Sequence, residues 1–325
     1  MADDGAGTVE VGFIGLGLMG SAIAGRILTE RPLLVWNRTA GACEPLVAQG
    51  ARAAGSAAEV FQRCRIVVVM VTDERAIDDI LRTAEHLLRG VTLVQMSTVP
   101  PAYSAALAER VARAGGRCVE APVSGSRQPA LDGRLIAMLA GDDDAVDEVM
   151  PVLRPACAAI HRCGAPPQAM QMKLAVNTFL ITLVTGLAES FHFAEEHGLP
   201  TQLLAEILDA GPMASFVSRA KAHALSTGDF SPQAAIPDVL KNANLVVDAA
   251  RERLVAATLM EPSAQLYAEA LALGHGGDDM AAVVSAYRAR TAAMRAARHD
   301  RPEPATRSSD PMREERPDAG AAGRG

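Results

Sequence analysis

Lysine is nearly missing from this chain. Of its 31 basic residues only Lys173, Lys221 and Lys241 are lysines, and the rest are arginine. Base composition of the genome accounts for such a bias, and each lysine that survives it asks for a reason. Positive charge is also short: the 325 residues carry a formal net charge of −7 with no basic stripe, which excludes a nucleic-acid binder. Aromatic residues make up 3%. The five cysteines (Cys43, Cys64, Cys118, Cys157, Cys163) are odd in number and form no C-x-x-C, against both a disulfide framework and a zinc site. The histidines form no H-E-x-x-H and no ligand spacing, so no metal is expected. Met1 to Glu10 has neither the basic start nor the apolar stretch of a signal peptide. The longest apolar stretch, Leu174 to Ala188, is broken by Asn177, Thr178, Thr182 and Thr185 and reads as too short and too polar for a bilayer. The expectation is a cytoplasmic protein with no membrane partner. What the chain does have is 49% apolar residues, enough for a sizeable core, and a length that predicts about two domains.

The first half alternates short apolar runs with helical segments. Val9–Ile14, Leu33–Trp36, Arg65–Val71, Val91–Met96, Arg117–Val119, Leu135–Ala140 and Ala159–Arg162 read as strands. The run RIVVVMV at 65–71 has the continuous β-branched character of a strand covered on both faces. This βαβ rhythm predicts a mostly parallel sheet, a Rossmann-type α/β domain over residues 9–165. After about residue 165 the strands stop. A long helix over 169–197, ended by Gly198 and Pro200, joins it to an all-α domain over 166–298. The segment 299–325 is rich in proline, arginine and acids, with Met312 its only large apolar residue, and reads as disordered.

Gly15-Leu16-Gly17-Leu18-Met19-Gly20 is G-x-G-x-x-G placed between a predicted strand and a predicted helix, the context a dinucleotide loop needs. Gly15 allows the tight turn, Gly17 lets backbone approach a pyrophosphate, and Gly20 lets helix and strand pack closely. The end of the second strand carries no acid for a ribose 2′-hydroxyl. It carries Asn37-Arg38-Thr39, which suits a 2′-phosphate and predicts NADP(H) in preference to NAD(H). Lys173 lies among apolar neighbours in MQMKLAV. It reads equally as a desolvated proton donor or as a snorkelling helix lysine. Locally, Ser124 before Gly125 reads as a turn serine. Asp142-Asp143-Asp144 and Asp278-Asp279 read as helix caps and first-turn acids, and Lys221 has no assigned role.

Together, VGFIGLGLMG, VWNRT, MSTV, EAPVSGSRQPALDG, MKLAVN, FSPQAAIPDVLKN and GHGGDDMAAVV resemble the β-hydroxyacid dehydrogenases, nearest to their glyoxylate/succinic semialdehyde reductase branch. The likeness runs in order over about residues 9–290. It implies that Lys173 is the general acid of carbonyl reduction and that Asn177, one turn on and on the same face, positions lysine and substrate. It implies that Ser124 and Gly125 hold a substrate carboxylate and that Thr98, Met70, Val71 and Lys241 lie at the cofactor. The implied partner is a small carboxylate-bearing carbonyl compound, and the implied assembly a homodimer or homotetramer.

Three departures from the family pattern stand out: Pro166, Pro167 and Ala169 in a loop that is usually glycine-rich, Asn242 where an acid usually follows the lysine, and Gln233-Ala234-Ala235 where an aromatic is usual. They leave open an imine reductase or a reductase of an unusual carbonyl compound. Imine reductases of similar fold typically lack a lysine at this helix position. A cofactor-binding protein without catalysis is the third reading.

Overall fold

The computed structural model describes residues 11–299. Residues 11–288 belong to one compact unit, and a second, separate unit begins at Ala289. The expectations for the first ten residues and for the tail lie outside the described residues.

The first part of the chain runs β1 (Val11–Ile14), α1 (Leu18–Leu28), β2 (Leu33–Trp36), α2 (Glu44–Val47), β3 (Arg52–Ala53), α3 (Ala57–Arg63), β4 (Ile66–Val69), α4 (Glu74–Ala84), β5 (Thr92–Gln95) and α5 (Pro101–Arg113). It continues with β6 (Arg117–Glu120), β7 (Val123–Ser124), α6 (Arg127–Leu131), β8 (Leu135–Ala140), α7 (Asp143–Leu153) and β9 (Cys157–Gly164). The remainder is helical: α8 (Gln168–Glu196), α9 (Thr201–Ala210), α10 (Phe216–Thr227), α11 (Ile236–Glu252), α12 (Met260–Ala272) and α13 (Val284–His299).

Among the described residues the sheet has nine strands, in the order β3-β2-β1-β4-β5-β6-β8-β7, with β9 on β8. It is parallel from β3 to β6, and β8 pairs antiparallel with both β6 and β7. Strands β1, β2 and β4 carry no polar side chain in their hydrogen-bonded runs because helices cover both faces. One face packs Val11, Phe13, Val35 and Val68 against α1, α6 and α7. The other packs Ile14, Val67, Val69 and Leu93 against α3, α4 and α5, and Met170 of α8 joins it.

Register sets up the site. Ile14 is level with Trp36 and Val69, Val69 with Gln95, and Gln95 with Glu120. Five strands therefore end in one row, and the loops that follow them leave from one edge. The chain order reverses between β1 and β4, so the crevice at their carboxyl ends is the topological switch point where such sheets bind ligands.

At 29 residues, α8 is about 44 Å long. By length and composition alone it is apolar enough to cross a membrane, which corrects the expectation drawn from the shorter stretch 174–188. In the fold it is the core helix of the helical part. Leu174, Ile181, Val184, Ala188 and Phe191 are buried with residues of α10, α11 and α12.

Candidate active site

The site begins with the turn after β1. Gly15 has φ +97°, and a Cβ there would meet the Met70 carbonyl oxygen at 2.1 Å. A Cβ at Gly20 would meet the Gly15 carbonyl oxygen at 2.0 Å, so α1 lies directly on the turn. A Cβ at Gly17 would meet nothing within 4 Å. Two of the glycines are required by the protein's own packing, and the third faces open space.

Behind that space stands the amino end of α1, which has no side-chain cap and no acid in its first turn. An uncapped helix start offers free N–H groups and a positive dipole end to an anion. These residues fit a dinucleotide pyrophosphate.

The next loop holds the first in place. Asn37 accepts from the Leu16 N–H at 2.9 Å and donates through Nδ2 to the Thr39 carbonyl at 3.0 Å. The Asn37 side chain, read from the sequence as a cofactor ligand, is thus engaged within the protein. Arg38 and Thr39 are exposed beside it.

Met70 continues the sheet by donating to the Ile14 carbonyl, and the Val71 N–H donates to the buried Ser97 Oγ at 2.8 Å. Ser97 itself is fixed through its carbonyl, which accepts from Gln95 Nε2 at 2.9 Å.

Lys241 reaches this edge from α11. Its Nζ donates to the Thr72 carbonyl at 2.6 Å and the Thr98 carbonyl at 3.1 Å. It ties the helical part to the loops after β4 and β5, and burial holds its pKa below the usual lysine value. Thr98 takes part through its backbone.

Ser124 lies in β7, paired with Ile136 of β8, and Gly125 follows with φ +128°. A Cβ at Gly125 would lie 2.6 Å from Leu135 Cδ2, and its positive φ is one that L side chains rarely adopt, so a larger residue there would be strained.

α8 runs alongside β7, β8, β9 and α5. Its amino end follows a cis Pro166–Pro167 bond, and Pro167 at the cap position gives no side-chain cap. The carboxylate of Glu120, completely buried at the end of β6, takes that place. Its Oε2 accepts from the Ala169 N–H at 3.0 Å and the Met170 N–H at 3.3 Å. Its Oε1 accepts from the Ser104 hydroxyl of α5. Ala169 is packed with Met138 and Ala140, which explains a small residue there.

Lys173 and Asn177 sit one and two turns further on, both buried, at 7% and 2% exposure. Among the described residues Lys173 forms no hydrogen bond or ion pair, and burial pushes its pKa down to about 8. Asn177 Nδ2 is buried without a hydrogen-bond partner among the described residues. A desolvated amine and an unsatisfied amide N–H on one helix face are the groups a carbonyl oxygen and its neighbour would engage.

Lys221 gains a role that its own sequence neighbourhood did not suggest. It is buried, and its Nζ donates to both carboxylate oxygens of buried Asp279, at 2.7 and 2.8 Å. Asp279 also accepts from the N–H groups of Gln233, Ala234 and Ala281. Asp279 does cap the short turn it precedes, as expected, and in addition clamps the segment leading into α11.

The sequence reading missed Glu120, Ser97, Ser104 and this pair. Glu120 carried one signal, an acid closing an otherwise buried strand end. The hydroxyls and the pair carried none. Among the described residues no three metal-binding side chains cluster.

The NAD-binding domain model of 6-phosphogluconate dehydrogenase matches residues 10–164. The NAD-binding model of NADP-dependent 3-hydroxyisobutyrate dehydrogenase matches residues 168–287. Glyoxylate/succinic semialdehyde reductase 1 of Arabidopsis thaliana is 31% identical over 283 residues, covering 86% of this chain and 98% of that protein. In fold, 3-hydroxyisobutyrate dehydrogenase from Salmonella typhimurium superimposes with a TM-score of 0.78 at 24% identity, over 85% of this chain and 99% of that one. Psf3 in complex with NADP+ and 2-OPP gives 0.76 at 25% identity, over 85% and 99%. With a glycine loop shaped for a dinucleotide and a buried lysine on the connecting helix, the chain belongs to the β-hydroxyacid dehydrogenase family and is an NAD(P)-dependent oxidoreductase of the 3-hydroxyacid dehydrogenase type.

Proposed function

We propose that this protein reduces a small carboxylate-bearing carbonyl compound, a semialdehyde or glyoxylate, to the hydroxyacid, with NADP(H) preferred and Lys173 as general acid. The observation that carries the reading is Lys173: buried, without a counter-ion among the described residues, its pKa pushed down to about 8 by burial, on a helix anchored at the carboxyl edge of the sheet. The dinucleotide supplies the hydride. Gly17 and the first turn of α1 hold its pyrophosphate, and Arg38 meets the 2′-phosphate. Ser124 and the backbone at Gly125 hold the substrate carboxylate. Asn177 Nδ2 orients the carbonyl, and the Lys173 ammonium donates its proton as negative charge develops on the oxygen. In the reverse direction the neutral amine takes that proton back.

The retained lysine favours carbonyl over C=N reduction and weighs against a non-catalytic role. An exposed apolar stripe of Met172, Phe179 and Phe193 on α8, beside an α9 with no buried residue, supports assembly as a homodimer or homotetramer. The test is NADPH consumption with glyoxylate, succinic semialdehyde, methylmalonate semialdehyde, tartronate semialdehyde and cyclic imines. Turnover of an acid in the panel by the wild type and its loss in Lys173→Ala is the expected result. Turnover of imines alone, or an Ala variant close to wild type, defeats the reading.

A further inference from the structure

We propose that Glu120 is the positioning residue of this active site, its single carboxylate fixing the proton-donating helix to the segments that bear the substrate loop and the cofactor loop. The inference rests on the reading of Lys173 as proton donor given above.

Glu120 joins three stretches of chain at one point. It belongs to the segment that reaches Ser124 and Gly125 four and five residues later. Through Oε1 it holds Ser104 in the first turns of α5, the helix that follows Thr98. Through Oε2 it holds the Ala169 and Met170 N–H groups. Ala169 precedes Lys173 by four residues, so it lies directly above the lysine on the same helix face.

A fully buried carboxylate is an expensive way to tie parts together, and burial raises its pKa. Among the described residues no Lys or Arg side chain bonds to it. The free N–H groups and dipole at the start of α8 take the place of a cation. Without Glu120 those N–H groups would have no cap, because Pro167 supplies none. The first turn of α8 would be loose where Lys173 must be placed. Glu120 touches no reacting atom in this arrangement, and it acts through the helix.

The test uses the full chain and NADPH. With only three lysines, 13C-lysine labelling gives three Cε signals to follow with pH, and the Lys173 signal is identified by its loss in Lys173→Met. In the wild type the Lys173 signal is expected to titrate near 8, where burial places it. In Glu120→Ala the loosened turn admits water, and the midpoint rises by about one unit or more. The same variant loses about 10²-fold in kcat for carbonyl reduction, the scale expected of a displaced catalytic group. Its NADPH affinity stays within about twofold, because the glycine loop and α1 are untouched. Glu120→Gln keeps an oxygen for the two N–H groups and an N–H for Ser104 Oγ, and restores kcat to within about threefold. Ser104→Ala moves both readouts in the same direction by less.

A folded Glu120→Ala with unchanged Lys173 titration and unchanged kcat overturns the proposal. So does a Glu120→Gln variant as impaired as Glu120→Ala, since charge and not anchoring would then matter. If Glu120→Ala does not fold, Glu120→Gln and Ser104→Ala decide. If the wild type reduces no carbonyl acid, the functional reading has failed, and the Lys173 titration still reports on Glu120.

Discussion

Lys173 and Lys221 are buried to nearly the same extent, at 7% and 8% exposure, and the fold treats them in opposite ways. Lys221 is met by both oxygens of Asp279, whose remaining capacity is filled by three backbone N–H groups. Among the described residues Lys173 is met by no acceptor, and burial pushes its pKa down to about 8. Burial alone is the same in both cases. The difference lies in what surrounds the ammonium: a satisfied charge fastens structure, and an unsatisfied one is held ready to release a proton near neutral pH.

The comparison can be broken or sharpened by experiment. The largest effect is expected at Lys173. Replacing it by alanine removes the proton donor and should cost about 10²–10⁴-fold in kcat for carbonyl reduction, read as NADPH oxidation. Lys221→Met should leave the chemistry in place and damage stability instead. It strands the Asp279 carboxylate in the core, and urea unfolding should show a loss of about 3–5 kcal/mol.

Lys173→Met should go the other way. The wild-type lysine has a lower pKa folded than unfolded. Burial of its charge therefore opposes folding below pH 8, and that cost fades as pH rises from about 8 towards the ordinary lysine value. A methionine escapes it and should gain up to about 3 kcal/mol at pH 7, visible as a raised Tm. The pH dependence of turnover follows from the same shift: reduction, which uses the ammonium, should fall as pH rises through about 8, and oxidation should rise. The smallest effect is expected away from either lysine. Arg38→Ala should weaken NADPH by about tenfold, the loss of one charge-assisted contact, and leave NADH binding unchanged.

How much of this was legible in the sequence depends on the range of the interaction. The glycine loop was legible because each glycine answers a constraint within a few residues or across adjacent strands. The central strands were legible from their unbroken apolar runs. The two-residue β3 and β7 were not, since two residues carry no period, and neither was the antiparallel placement of β8. Lys173 was visible through a family resemblance, while its apolar neighbours fitted two readings equally. The Lys221–Asp279 pair joins positions 58 residues apart, and Glu120 reaches Ala169 across 49. No local pattern encodes either, because the partners meet only after the helices have packed. Asn37 shows a further case. Its residue type and place matched a cofactor ligand, and the fold adds a second task, since its side chain also braces the loop from within.

One last consequence concerns reagents that seek amines. All three lysines are tucked in: Lys173 and Lys221 are buried, and Lys241 is partly covered and bonded to two carbonyls. Acylating esters and amine-directed cross-linkers should therefore find the lysine side chains nearly silent. Slow acylation of Lys173 would mark an opening of the catalytic cleft, so the rate of a simple coupling reaction becomes a gauge of how often this enzyme breathes.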